Sequence, residues 1–180
     1  MALGPPYRQG ELDGLCGLYG IINATRLALS PTKCMKSADI SDFFAFLIAR
    51  LHADRMLRDA ITDGLSTPVV SRLLAQTDRW LQKRYGANLR THRPYYLKPG
   101  ASQMTVVRSI ARHLAKPNTS AIVGLDGGAH YLHWTVVRKI TAASLVLFDA
   151  DGMSRVSLAR AARDKVRLLP RDVFLLRYEP

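Results

Sequence analysis

The chain has few cysteines: two in 180 residues, Cys16 and Cys34. Two thiols cannot build a disulfide scaffold, and neither falls in the paired spacing that marks a zinc site, so both are read as reduced thiols. Long apolar runs are also missing. Charges interrupt every stretch before it reaches the roughly 18 residues a membrane span requires. The opening MALGPPYRQGELDG carries two prolines and mixed charge where an export signal would carry an apolar core, so a cytoplasmic location is expected. Acidic residues are scarce, 14 against 26 Lys and Arg, for a formal charge of +12. A surplus of that size favours encounters with acidic partners, whether protein, anionic lipid or nucleic acid. Yet no run of five basic residues occurs, and the scatter of single charges argues against a dedicated nucleic-acid face. No internal repeat and no H-E-x-x-H zinc motif is present.

What is present suffices for a buried core, since 48% of the residues are apolar. The length fits a single domain, 1–180. Leu15, Leu18, Tyr19, Ile22, Leu27 and Leu29 recur at helical spacing and predict a helix over about 14–29, ended near Ser30-Pro31. The segment SADISDFFAFLIARLHADRMLRDAITDG predicts one or two helices over 39–63. STPVVSRLLAQTDRWLQKRYG predicts another, closed by Gly86. NLRTHRPYY reads as a short strand and SQMTVVRSIARHLAKP as a last helix, stopped by Pro117. Then come TSAIVGLD, HWTVVRKI, SLVLFDAD, MSRVSL and DVFLLRYE, short segments rich in β-branched and aromatic residues between small polar turns. The expected architecture is α+β: an N-terminal helical half packed on a C-terminal antiparallel sheet, the two layers sharing one core.

Chemistry concentrates at GELDGLCGLYG, residues 10–20. With Asp13 as N-cap, Cys16 falls in the first helical turn, where unpaired backbone N–H groups and the helix dipole favour a thiolate. A nucleophilic cysteine needs a base and a group that orients the base. His52, His92 and His113 lie in amphipathic or arginine-rich stretches and have ordinary surface or packing roles. His130 and His133 lie where a glycine-rich loop enters a strand, the placement expected of an exposed functional group on a rigid support. The hairpin of HWTVVRKI with SLVLFDADG, centred on Thr141, sets His133 opposite Asp149, with Cβ atoms about 5 Å apart. Centring it on Ala142 pairs His133 with Asp151 instead. An oxyanion would find one donor in the Cys16 N–H and a second in the amide of Gln9, folded back from the preceding loop.

A glutamine, then Cys-Gly opening a long helix, later a His before an aromatic and β-branched run, then an Asp ending the next strand: this order resembles the papain-like cysteine peptidases. It is most similar to compact bacterial peptidases that process double-glycine leader peptides. The resemblance implies Cys16 as nucleophile, His133 as general base and acid, Asp149 as orienting acid and Gln9 as oxyanion donor. It implies a protein or peptide substrate and no cofactor. It covers about residues 7–30 and 120–152, with a helical insertion at about 37–86. The sequence departs from the plant and lysosomal signature, having Gly-Leu-Tyr-Gly after Cys16, and the spacing from Gln9 to Cys16 is one residue longer than in papain. Peptidase, deamidase and transglutaminase chemistries share this machinery, and a chain of this kind could be delivered as a bacterial effector. Two other readings stay open. One is a basic binding module, with Arg155, Arg160, Arg163, Lys165 and Arg167 gathered into a patch. The other is a metalloenzyme using Cys16, His130 or His133, and Asp149.

Overall fold

The computed structural model describes residues 3–10, 13–128, 132–158 and 166–180. Its helices are α1 (Cys16–Leu29), α2 (Ser37–Ala53), α3 (Leu57–Thr62), α4 (Thr67–Tyr85) and α5 (Gln103–Leu114). Its strands are β1 (Asn88–His92), β2 (Thr119–Asp126), β3 (Leu132–Ile140), β4 (Ser144–Leu147), β5 (Arg155–Ser157) and β6 (Arg167–Glu179). All pairings are antiparallel, and the spatial order is β1-β6-β2-β3-β4-β5. Helices α1 to α4 precede the sheet and α5 follows β1, so helix and antiparallel sheet are segregated and the α+β expectation holds. Among the described residues no helix is long and apolar enough to cross a membrane.

The layering differs from the expected two layers around one core. Helices α1 to α4 cover one face of the sheet and α5 covers the other, so each face has its own apolar cluster. Period-2 alternation along β2 explains this: Ile122 joins Val136 and Phe174 on the α1 side, while Ala121, Val123 and Leu125 join Val106 and Ile110 on the α5 side. A strand buried on both faces reads as a continuous apolar run, which is what AIVGL is. Helix α5 is fastened there by polar contacts too. The Gln103 amide donates to the Leu168 carbonyl at 2.7 Å and its carbonyl accepts the Leu168 N–H at 3.0 Å. The His113 ring meets the Leu176 carbonyl at 2.9 Å.

Helix α1 is buried almost all round, because it lies between the sheet and helices α2 and α4. Its approach to the sheet depends on Gly17. A Cβ there would stand 3.0 Å from Leu65 and 3.1 Å from the Trp134 ring, so a side chain would push the helix off β3. The region 37–86 folds as three helices, and Asp39 ties α2 to the end of α4: it binds the Arg84 guanidinium and accepts the Tyr85 hydroxyl at 2.9 Å. Gly86 closes α4 with φ of 69°, the left-handed cap for which glycine is favoured.

Candidate active site

Cys16 is the first residue of α1: the helix starts two residues later than the sequence suggested, and Leu15 rather than Asp13 is the N-cap. Asp13 acts one step earlier. Its carboxylate accepts the N–H groups of Leu15 and Gly10, each at 3.1 Å, and so shapes the turn that delivers the chain into the helix. Gly14 donates to the Ile61 carbonyl at 2.7 Å, and a Cβ at Gly14 would stand 2.9 Å from backbone atoms of Ile61 and Gly64. The glycines around Cys16 therefore serve close packing: Gly14 against the α3–α4 loop, Gly17 against Leu65 and Trp134.

His133 enters on β3 and is buried, as are Cys16 and Asp149. Its Nε2–H donates to Asp149 Oδ1 at 2.7 Å. The ring also hydrogen-bonds the Cys16 side chain, which leaves Nδ1 as the nitrogen that faces the sulfur. Burial alone would push the imidazole toward its neutral form. The hydrogen bonds and negative charges of Asp149 and Cys16 reverse that and raise its pKa to about 10. Asp149 is held as the complementary anion. Burial favours its neutral form, but the His133 ring, the Thr135 hydroxyl and the Met153 amide outweigh burial and lower its pKa. The amides of Asp151 and Met153 donate to Oδ2 at 2.9 and 3.0 Å.

The hairpin register that suggested this pair is not the one present. Strand β3 pairs with β4 as Ile140 with Leu145 and Val137 with Leu147, a centre nearer 142 than 141, with an irregularity between Val137 and Lys139. Continued, that register would set His133 against Asp151. The ladder ends at Leu147, however. The Phe148 N–H returns to the Val136 carbonyl at 2.8 Å, and the turn that follows brings Asp149 to the histidine. Asp151 contributes its backbone amide, and its side chain is exposed.

Gln9 lies on a strap, residues 3–10, that runs past α1. Asn23 clasps it in both senses: Asn23 Oδ1 accepts the Tyr7 N–H at 2.9 Å and its amide donates to the Tyr7 carbonyl at 3.0 Å. Arg26 donates to the Pro5 carbonyl at 3.0 Å and stacks 4.5 Å from the Tyr7 ring. Downstream, the Gln9 N–H donates to the Ala150 carbonyl at 3.1 Å, so the strap joins α1 to the turn carrying Asp149. The Gln9 side chain donates to the Asp13 carbonyl, and Gln9 is not among the described residues lining the cavity beside Cys16.

That cavity has a volume of about 430 Å³ and is lined by Cys16, His133 and Trp134 together with the loop from Asp63 to Pro68. Trp134 fixes the loop by donating its indole N–H to the Leu65 carbonyl at 2.7 Å. Sequence reasoning missed Asp172, which also lines the cavity and accepts the Thr67 hydroxyl. It is brought there by a bulge: β6 pairs Val173 with Val123 but Leu169 with Gly124, leaving Pro170, Arg171 and Asp172 outside the ladder. Two signals pointed to it, a glycine inside the segment TSAIVGLD and a proline just ahead of DVFLLRYE, both marks of a bulge or close approach. A Cβ at Gly124 would stand 2.6 Å from that of Asp172. His130, Arg160, Arg163 and Lys165 lie outside the described residues. Among the described residues no three His, Cys, Asp or Glu side chains are grouped as a metal site requires.

This helix-then-sheet frame, with α1 laid against an antiparallel sheet, is a papain-like fold, as a likeness to a solved structure shows. Among solved structures it is similar to the peptidase domain of Streptococcus ComA, described as a bi-functional ABC transporter involved in quorum sensing. The TM-score is 0.52 at 14% identity, covering 97% of this chain and 96% of that one. The Pseudomonas avirulence protein AvrPphB aligns over 89% of this chain and 90% of its own at 11% identity; its TM-score of 0.34 carries no weight. By sequence the chain matches no protein-family profile and no curated protein.

Proposed function

We propose that the protein is a papain-like thiol hydrolase that cleaves an amide bond of a protein or peptide through Cys16, His133 and Asp149. The observation that carries this reading is the relay itself: a buried imidazole bonded on one side to a carboxylate at 2.7 Å and on the other to the only buried thiol. Protonated at neutral pH, His133 pairs with the Cys16 thiolate, and Asp149 orients the ring and stabilises its charge. The thiolate attacks the substrate carbonyl carbon, and the π-electron pair moves to oxygen. The imidazolium then gives its Nδ1 proton to the departing amine as the C–N bond breaks, leaving a thioester on Cys16. Water, deprotonated by the now neutral His133, attacks the thioester. The tetrahedral adduct collapses, the C–S bond breaks and the acid departs, leaving the Cys16 thiolate beside the imidazolium that took the water proton.

The Cys16 N–H, at the open end of α1, is one donor for the oxyanion. Gln9 is the second, its amide turning from the Asp13 carbonyl to the substrate oxygen when the cleft is occupied. An amine in place of water in the second half would give acyl transfer, so the acceptor is set by what the cleft admits. The reading is tested by iodoacetamide labelling with mass-spectrometric site assignment. An ordinary thiol is only a few per cent thiolate at pH 7. An ion-paired Cys16 is therefore expected to alkylate at least about tenfold faster than the exposed Cys34, and His133→Ala is expected to abolish the difference. Slow, equal labelling of both thiols overturns the reading.

A further inference from the structure

Past Thr67 the cleft opens into a second cavity of about 800 Å³, and four residues, Thr67, Pro68, Leu169 and Asp172, line both. The second cavity is cationic. Arg72, Arg93 and Arg171 line it against a single carboxylate, that of Asp172, which accepts the Thr67 hydroxyl and is attracted by Arg93 and Arg171, leaving an excess of positive charge. Arg93 is held in place without being saturated. Its guanidinium lies 4.1 Å from the Tyr96 ring and 4.9 Å from that of Phe174, one Nη donates to the Arg171 carbonyl at 3.3 Å, and its buried Nε has no hydrogen-bond partner among the described residues. A guanidinium fixed by stacking loses little freedom when it binds a planar anion, and its fork matches a carboxylate. Arg171 stands on the exposed bulge of β6 and has no ion pair among the described residues. Arg72 lies 3.8 Å from the Asp54 carboxylate on a half-exposed surface and donates to the Met56 sulfur at 2.9 Å.

We propose that this cavity is the specificity subsite of the cleft and takes an aspartate or glutamate side chain of a peptide substrate, held by Arg93 and Arg171 while Tyr96 and Pro170 flank its methylenes. The proposal rests on the hydrolase reading above. It is tested by digesting a proteome-derived peptide library with the full chain and reading cleavage sites by mass spectrometry, beside iodoacetamide labelling of the same preparation. The expected result is one position near the cut where acidic residues are enriched about tenfold over basic ones. Arg171→Glu, on an exposed position that the fold tolerates, should lower that enrichment at least fivefold and admit lysine there. Arg93→Gln should lower it as well, with thermal unfolding as the control for folding. Cleavage without acidic preference, or a preference unchanged in Arg171→Glu, overturns the subsite. No cleavage together with unselective labelling of Cys16 overturns the hydrolase reading and the subsite with it.

Discussion

Replacing Asp149 with asparagine keeps the size of the side chain and removes its charge, so the cost isolates what the carboxylate does. Among the described residues Asp149 accepts hydrogen bonds from His133 Nε2–H at 2.7 Å and from the amides of Asp151 and Met153 at 2.9 and 3.0 Å, with the Thr135 hydroxyl as a further partner. Asparagine has one acceptor oxygen. If that oxygen meets the two amides, the NH2 group faces the imidazole N–H; if it meets the imidazole, the NH2 group faces both amides. Each buried donor left unmet costs about 1–3 kcal/mol, and removing one partner of a buried ion pair costs about 3–5 kcal/mol. For a chain of this length about 4 kcal/mol lowers Tm by roughly 8–16 °C.

The pH dependence separates the charge from the geometry. The imidazole pKa is raised in the folded state to about 10 from an ordinary 6.5, so the stability it contributes is complete below pH 6.5 and lost as pH rises through about 10. Asp149 is lowered, so its contribution is present above the ordinary carboxyl value and lost as pH falls through the depressed one. Urea unfolding of wild type and Asp149→Asn at pH 6, 8 and 10.5 should show the largest difference at pH 6, with only the geometric part, about 1–3 kcal/mol, remaining at pH 10.5. A difference constant across that range, or below about 1 kcal/mol at pH 6, refutes the charged pair.

Two further outcomes complement those given for Cys16 labelling and for Arg171. Gln9→Ala should lower kcat on a cleavable peptide about 10²–10³-fold with little change in KM, the signature of a lost oxyanion donor; a change under about threefold would assign Gln9 to tethering Asp13 alone. Gly124→Ala forces a Cβ to within 2.6 Å of that of Asp172, so overpacking should cost about 1–3 kcal/mol. Differential scanning calorimetry reads this as a fall in Tm, and an unchanged Tm contradicts the close approach.

Much of the fold was legible because its signals are local. The apolar spacing after Cys16, the proline and glycine that frame α4, and the β-branched segments after Pro117 each report a period or a breaker that neighbouring residues decide. What the sequence hid depends on distant chain. Nothing in SQMTVVRSIARHLAKP says which sheet face α5 will cover; that follows from β2 being apolar on both sides. The contact of His133 with Asp149 was anticipated from a hairpin register that the structure does not have. Strand β4 ends at Leu147, and the contact arises from the turn beyond it, a feature that strand alternation does not encode. Asp172 was overlooked for a related reason: Pro170 and Gly124 each announce an irregularity, but only the pairing of β2 with β6 shows that the two coincide and turn an acidic side chain into the cleft.

The clasp of Asn23 on the Tyr7 backbone and the bond from Gln9 to Ala150 tie residues 3–10 to the helix on one side and to the histidine's anchoring turn on the other. Any cargo fused ahead of Leu3 therefore tugs on a leash whose far end is attached to the relay. Tension would peel Gln9 away from its neighbours well before it disturbed the apolar interior, so the same polypeptide carrying different upstream fusions could look equally well folded by circular dichroism and yet turn over substrate at different speeds.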